Sequence, residues 1–324
     1  MVRVMIHEAG PGQRIYVEDW GAGYGSPYLV DDEPGDTTEG ILVEDGDRLL
    51  CHAGAESGLP EPLAFVDGVR RAEAWLVTIA DDGQTVRGLA GAFATGAVLA
   101  VPGRTPVFER ERVQRVAIWG SGFHTPLPEA HGGWRWEVVS IAETEADAPL
   151  ASLQNRMREA ERDLAAQLAA EGHLIVLDGP LNFVLGRDAR VTGYVKTHHR
   201  RFLAAEAHAL VPSLALGERT SIFSVGERFS CYARIAAPTL HSPPWSGIIR
   251  LDLAGEAGLT EAKRLADALC LRLPRFAGVL HCDPRAPQNL QPIGALETHL
   301  RHLMGDVALA TRAVRDAALT RSLA

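Results

Sequence analysis

The sequence is short of the residues that staple small or zinc-held folds. Its four cysteines, Cys51, Cys231, Cys270 and Cys282, include no CxxC pair, so neither a zinc ribbon nor a disulfide scaffold is indicated. Aromatic residues make up only 6% of the chain. Lysine is nearly absent: all the basic residues but Lys196 and Lys263 are arginine, a bias in which arginine abundance by itself points to no function. The most apolar stretch, residues 89–101, is interrupted by glycine and falls far short of the ~20 residues a spanning helix needs. The opening MVRVMIHEAGPGQ lacks the apolar core of a signal peptide, so a cytoplasmic protein without membrane association is expected. A formal net charge of −9 excludes a protein that coats nucleic acid by bulk charge, while leaving room for a local basic groove. Walker A, GxSxG, HExxH and a GxGxxG after a strand are missing as well.

What is present is an ordinary globular chain of 324 residues, 46% hydrophobic and 23% charged. That length suits one large domain or two smaller ones. Residues 1–60 read as short β segments, VRVMIH and ILVEDGDRLLCHAG among them. LAFVDG reads as a short strand behind two prolines, and two further strands join at Asp82-Gly83, which makes a meander. Residues 104–147 are mixed and set apart as a possible insertion. LASLQNRMREAERDLAAQLAAEG then carries Leu153, Met157, Ala160, Leu164 and Leu168 at helical spacing, with Gly172 as a stop signal. LIVLDGPLNFVLG reads as a strand buried on both faces, and VTGYVKTHHRRF as another that ends in a basic cluster. A helix near 203–210, three antiparallel segments and a helical finish complete a mixed α/β order. It lacks the regular βαβ alternation of a dinucleotide-binding protein.

Acidic residues in places where acids are costly carry the chemistry. Asp45-Gly46 and Asp82-Gly83 sit among polar residues and read as plain turns. Asp67-Gly68 and Asp178-Gly179 follow the apolar runs LAFV and LIVL, which places each carboxylate at the C-terminal end of a core strand. Carboxylates brought close repel unless a cation bridges them or one takes a proton. On the long helix, Glu161 falls at the edge of the apolar stripe and Glu159 on the opposite side. A carboxylate at that edge needs a salt bridge, with Arg158 or Arg162 for instance, or a metal. Lys196, at the end of a strand, is suited to meeting a phosphate as a point charge. His198 and His199 suit backbone or phosphate contacts better than metal. Near the C-terminus, Glu297 is placed to cap a helix, and His299 is either a ligand or an ordinary half-buried histidine.

Taken in order, FVDG, MREAE before VLDGPL, YVKT and the late DPRAPQNLQPIGALETH resemble the NurA nuclease family over residues 60–320. The resemblance implies an RNase H-like core, mixed sheet and flanking helices, with a nuclease domain spanning 61–324 behind the β-rich segment 1–60. It also implies a homodimer, Mn²⁺- or Mg²⁺-dependent DNA cleavage in end resection, as exonuclease or endonuclease acting at 5′ ends, and partnership with the HerA hexameric ATPase. Carried over position by position, the site acids are Asp67, Glu161 and Asp178, and the late histidine is His299. Gln291-Pro292 stands where the family has Tyr-Pro, so the fourth ligand stays open among His299, Glu297 and Asp283. A two-metal hydrolysis would have Asp67 bridging, Asp178 on one metal, Glu161 with His299 on the other, and Lys196 and Arg285 on phosphate. Oxygen ligands suit Mg²⁺ or Mn²⁺, and a histidine shifts the balance to Mn²⁺. The rival expectations are a silent scaffold that docks DNA or an ATPase, and a phosphohydrolase of small esters.

Overall fold

The computed structural model describes residues 7–8, 15–17, 39–56, 58–59, 62–181, 190–198, 200–240 and 242–323. Short strands come first: β1 (His7–Glu8), β2 (Ile15–Val17), β3 (Ile41–Leu42) and β4 (Cys51–Ala53). The long meander follows, β5 (Leu63–Ile79), β6 (Thr85–Ala100) and β7 (Val107–Trp119), then β8 (Phe123–His124) and β9 (Glu137–Ser140). Helix α1 (Ala148–Ala170) leads into β10 (Leu174–Asp178), β11 (Val191–Val195) and α2 (Ala205–Leu210). Strands β12 (Glu218–Thr220), β13 (Phe223–Val225), β14 (Arg228–Arg234) and β15 (Ile248–Ala254) precede α3 (Gly258–Arg272), α4 (Gln291–Leu303) and α5 (Val307–Leu323). Among the described residues no helix is long and apolar enough to cross a membrane.

Strands β7, β6, β5, β10 and β11 lie side by side in that order, within a sheet that continues through β15, β14, β13 and β3. The meander pairs antiparallel. β10 runs parallel to both β5 and β11. An antiparallel triplet whose first strand pairs parallel with β10, which pairs parallel with β11 in turn, is the strand order of an RNase H-like core. The segment 104–147, set apart in the sequence, supplies β7 and the edge strand β9, which pairs parallel with it.

Alternation along the central strands sorts their side chains between two helical layers. Ala64, Val66, Ile175 and Leu177 pack with Leu164 and Leu168 of α1. Phe65, Leu174 and Val176 pack on the other face with Leu265, Leu269, Ile293 and Leu296 of α3 and α4. Helix α1 forms where the spacing predicts: Pro149 sits in its first turn, where the missing N–H costs nothing, and Gly172 takes φ +95 beyond its end.

Three local expectations are corrected. Asp67 is interior to a 17-residue strand, not at a strand end, because β6 keeps pairing with β5 past Asp67-Gly68. Gly68 therefore makes no turn, unlike Gly46, Gly83 and Gly179, whose φ values are positive. Glu297 does not cap the late helix, which begins at Gln291 with Pro292 in its first turn. His199 and residues 182–189, which include the end of LIVLDGPLNFVLG, lie outside the described residues, as does the N-terminal segment VRVMI.

Candidate metal centre

The parallel pairing of β10 with β5 ends at Leu177 and Val66, one step before Asp178 and Asp67. The two aspartates thus stand side by side where the parallel pairing stops, on the face that carries α4. Glu297 enters from α4, and one carboxylate oxygen from each of Asp67, Asp178 and Glu297 lies within 4.8 Å of the others. Asp67 and Glu297 are 7% and 6% exposed; the Asp178 side chain is 14% exposed.

Two of these carboxylates have cationic partners. Lys196, the residue after β11, donates to Asp178 Oδ2 at 2.6 Å and to Asn289 Oδ1 at 2.9 Å. Arg285 donates to Glu297 Oε1 at 2.9 Å, and Arg301 to Oε2 at 3.2 Å. Among the described residues the Asp67 side chain makes no hydrogen bond or ion pair. Burial, then the neighbouring Asp178 and Glu161, push the Asp67 carboxyl well above its ordinary range. Burial and Glu297 also raise Asp178, outweighing the Lys196 ammonium beside it. For Lys196 burial works the other way, and the Asp178 carboxylate overcomes it to hold the ammonium above its usual range.

Glu161 approaches from the opposite face. It is 6% exposed on α1, and its Oε1 lies where a side chain at position 68 would stand: a Cβ there would come within 2.6 Å of it. Gly68 thus opens the strand beside Asp67 to an acid from the other helical layer. The apolar stripe of α1 marked Glu161 from sequence, and Glu159 is exposed. Glu161 is absent from the 4.8 Å carboxylate group.

His299 lies elsewhere. Its ring stacks on Phe108 at 4.2 Å and 4°, and its Nε2 lies 3.1 Å from Glu111 Oε1, which faces it towards β7. Asp283 borders the site through Arg285, at 3.1 Å, and through Asn289, whose Nδ2 donates to it at 2.5 Å. Burial would raise Asp283, but these donors hold it at about 2. Arg285 is engaged by Asp283 and Glu297 with its side chain 49% exposed. His198 meets the Ile248 carbonyl at 3.1 Å. Asn289, 1% exposed, is the member that the sequence did not single out.

Three carboxylates with a lysine and an arginine at their edges are an oxygen-rich donor set. A buried carboxylate without a hydrogen-bond partner is costly, and a hard cation satisfies it best; among the described residues the Asp67 side chain has no such partner, so the residues fit a divalent metal. A second acid–histidine group, Glu44, Asp45 and His52, does not meet it. Arg219 and Lys263 already pair with Glu44, and Ser221 with Asp45.

The sequence matches no protein-family model and no curated protein. Among solved structures the chain is similar to the NurA nuclease from Sulfolobus solfataricus, at 12% identity and a TM-score of 0.43, covering 80% of this chain and 81% of that one.

Proposed function

We propose that the chain is a divalent-metal-dependent DNA nuclease, a phosphodiester hydrolase. The observation that carries this reading is the convergence of Asp67, Asp178 and Glu297 within 4.8 Å, with the buried Asp67 carboxylate making no ion pair among the described residues. Asp67, Asp178 and Glu297 would hold the metal, with Glu161 reaching the same place past Gly68. Mg²⁺ or Mn²⁺ bound there supplies an activated water and neutralises charge on the attacked phosphate and leaving oxygen. Lys196 presents a charged ammonium at the rim to a phosphate oxygen. Arg285, half exposed and tethered by Asp283 and Glu297, offers the remaining N–H groups of its guanidinium. His299, directed to Phe108 and Glu111, is placed to shape the surface beside the site; Glu297 takes its part among the ligands.

The finer expectations rest on the ordered motifs. These are DNA as substrate in end resection, cleavage as a 5′ exonuclease or endonuclease, Mn²⁺ as the working ion, a homodimer, a HerA-type hexameric ATPase as partner, and a cytoplasmic setting. One observation favours a second reading. Lys196 and Arg285 already neutralise Asp178 and Glu297, as they would in a silent scaffold that docks DNA or an ATPase.

The test is cleavage of 5′- and 3′-labelled single- and double-stranded DNA with Mn²⁺, Mg²⁺ or EDTA, by wild type and Asp178→Asn. Metal-dependent cutting lost in the variant is expected, and the two labels report polarity. No cutting in either metal, alone or with the partner ATPase, would refute the nuclease reading and leave the scaffold.

A further inference from the structure

The ammonium of Lys196 has two acceptors of different kinds. One is the Asp178 carboxylate, at 2.6 Å; the other is the neutral Asn289 amide oxygen, at 2.9 Å. The second acceptor is a built feature. Asn289 is buried, and its Nδ2 donates to Asp283 Oδ2 at 2.5 Å, so the amide can only turn its oxygen towards Lys196. Asp283 stays ionised because Arg285 and Asn289 outweigh its burial and hold it at about 2. The segment itself is pinned where Tyr194 Oη donates to the Gln288 carbonyl at 2.5 Å. In the first turn of α4, a Cβ at Gly294 would come 3.2 Å from both Asn289 Nδ2 and Asp283 Oδ2. A larger residue there would crowd the amide.

A divalent cation and an ammonium compete for the negative charge of one carboxylate. An ammonium has three donors, so it can release one acceptor and keep another. Resting on the metal-site reading above, we propose that Lys196 is an internal counter-ion of the cation site. Asn289 is then the positioning residue that retains its ammonium at the rim when a divalent cation takes Asp178. In that position the ammonium is available to a phosphate oxygen instead of being lost to solvent.

The test is calorimetric titration of the full chain with Mn²⁺, without DNA, on wild type, Lys196→Met, Asn289→Leu and the double variant. Circular dichroism melting verifies the fold. Lys196→Met should bind Mn²⁺ on the order of tenfold more tightly, since its competitor is gone. Asn289→Leu should bind several-fold more weakly, since the ammonium then has only Asp178 to hold. The double variant should match Lys196→Met, because Asn289 acts through the lysine. Lys196→Gln, which keeps a donor but not the charge, should also tighten binding, and serves if Lys196→Met fails to fold. Unchanged or weaker affinity in both lysine variants overturns the proposal, as does a loss from Asn289→Leu that persists in the double variant. If neither wild type nor the lysine variants bind Mn²⁺, the metal-site reading fails and this inference with it. If wild type binds Mn²⁺ and the lysine variants bind it no more tightly, only this inference fails.

Discussion

Replacing Asp67 by Asn removes one charge from a group of three carboxylates whose oxygens lie within 4.8 Å of one another. At ~4.8 Å and an effective dielectric of about 20, each like-charged pair costs roughly 3.5 kcal/mol. Asp67 faces two such neighbours, Asp178 and Glu297, and Glu161 lies behind Gly68. Lys196 gives part of that back, since its ammonium opposes the rise at Asp67. Half-protonation of the cluster gives back more, because like-charged acids this close do not all ionise. The net gain expected from Asp67→Asn at pH 8 in EDTA is about 2 kcal/mol, seen as a melting point roughly 3–6 °C higher. A change at a proposed metal ligand that stabilises the protein is the signature of strain held for function.

The pH dependence has a definite sign. Asp67 has a folded pKa above the ordinary 3.8, so the folded protein binds this proton more tightly than the unfolded chain does. The penalty is absent below the unfolded value, grows as pH rises, and is complete above the folded pKa. The advantage of Asp67→Asn should therefore shrink as pH is lowered from 8 towards 4. Mn²⁺ should then raise the melting point of wild type through binding and leave that of the variant nearly unchanged. Thermal melts of both proteins across this range, with EDTA and with Mn²⁺, measure all of this. An Asp67→Asn protein less stable than wild type at pH 8 in EDTA would refute the reasoning, as would equal stabilisation of both by Mn²⁺.

Other changes separate the members of the site. Glu297→Gln should abolish metal-dependent cleavage, whereas His299→Ala, which removes only the Phe108 stack and the Glu111 contact, should keep it within a few-fold; a matched pair of cleavage assays decides. Gly68→Ala should lower kcat by about 10²-fold and also lower the melting point, because its Cβ meets the Glu161 carboxylate at 2.6 Å, Met157 Cγ at 3.0 Å and the Ala94 carbonyl at 3.2 Å; equal kcat in the two proteins would place Glu161 outside the chemistry. Away from the site, Glu44 is held at about 2, below its ordinary 4.5, by Arg219, the Ile222 N–H and Lys263 against the opposing effect of burial. Its depressed pKa gives stability that is present above 4.5 and lost as pH falls through about 2. Glu44→Gln should therefore cost about 3 kcal/mol at neutral pH, with the cost fading below pH 4.5 in denaturant titrations.

Much of the scaffold is legible in the sequence because it follows from local rules. The period of α1 and its stop at Gly172, the doubly buried β10, and the Asp82-Gly83 hairpin turn all depend on residues close in sequence. The length of β5 does not. LAFV followed by Asp-Gly has the form of a strand and its turn, yet the chain stays extended because β6 supplies partners as far as Ile79. That pairing also converts Gly68 from a turn former into a gap for Glu161. Asn289 was invisible for a similar reason. Nothing near it in sequence announces a ligand, and its role comes from Lys196 on another element, 93 positions away.

The late helix shows how far one rule reaches when it is applied evenly. Ile293, Leu296, Leu300 and Met304 form a buried apolar stripe on and just past α4, a spacing of three and four that any helical wheel recovers. Glu297 lies four residues after Ile293 and three before Leu300, on the edge of that stripe, as Glu161 lies four after Met157 and three before Leu164. His299 is one residue before Leu300 and points away, to β7. An acid at a stripe edge pays for its desolvation unless a cation meets it, and a residue off the stripe has no such need. The wheel that singles out Glu161 on α1 therefore singles out Glu297 on α4.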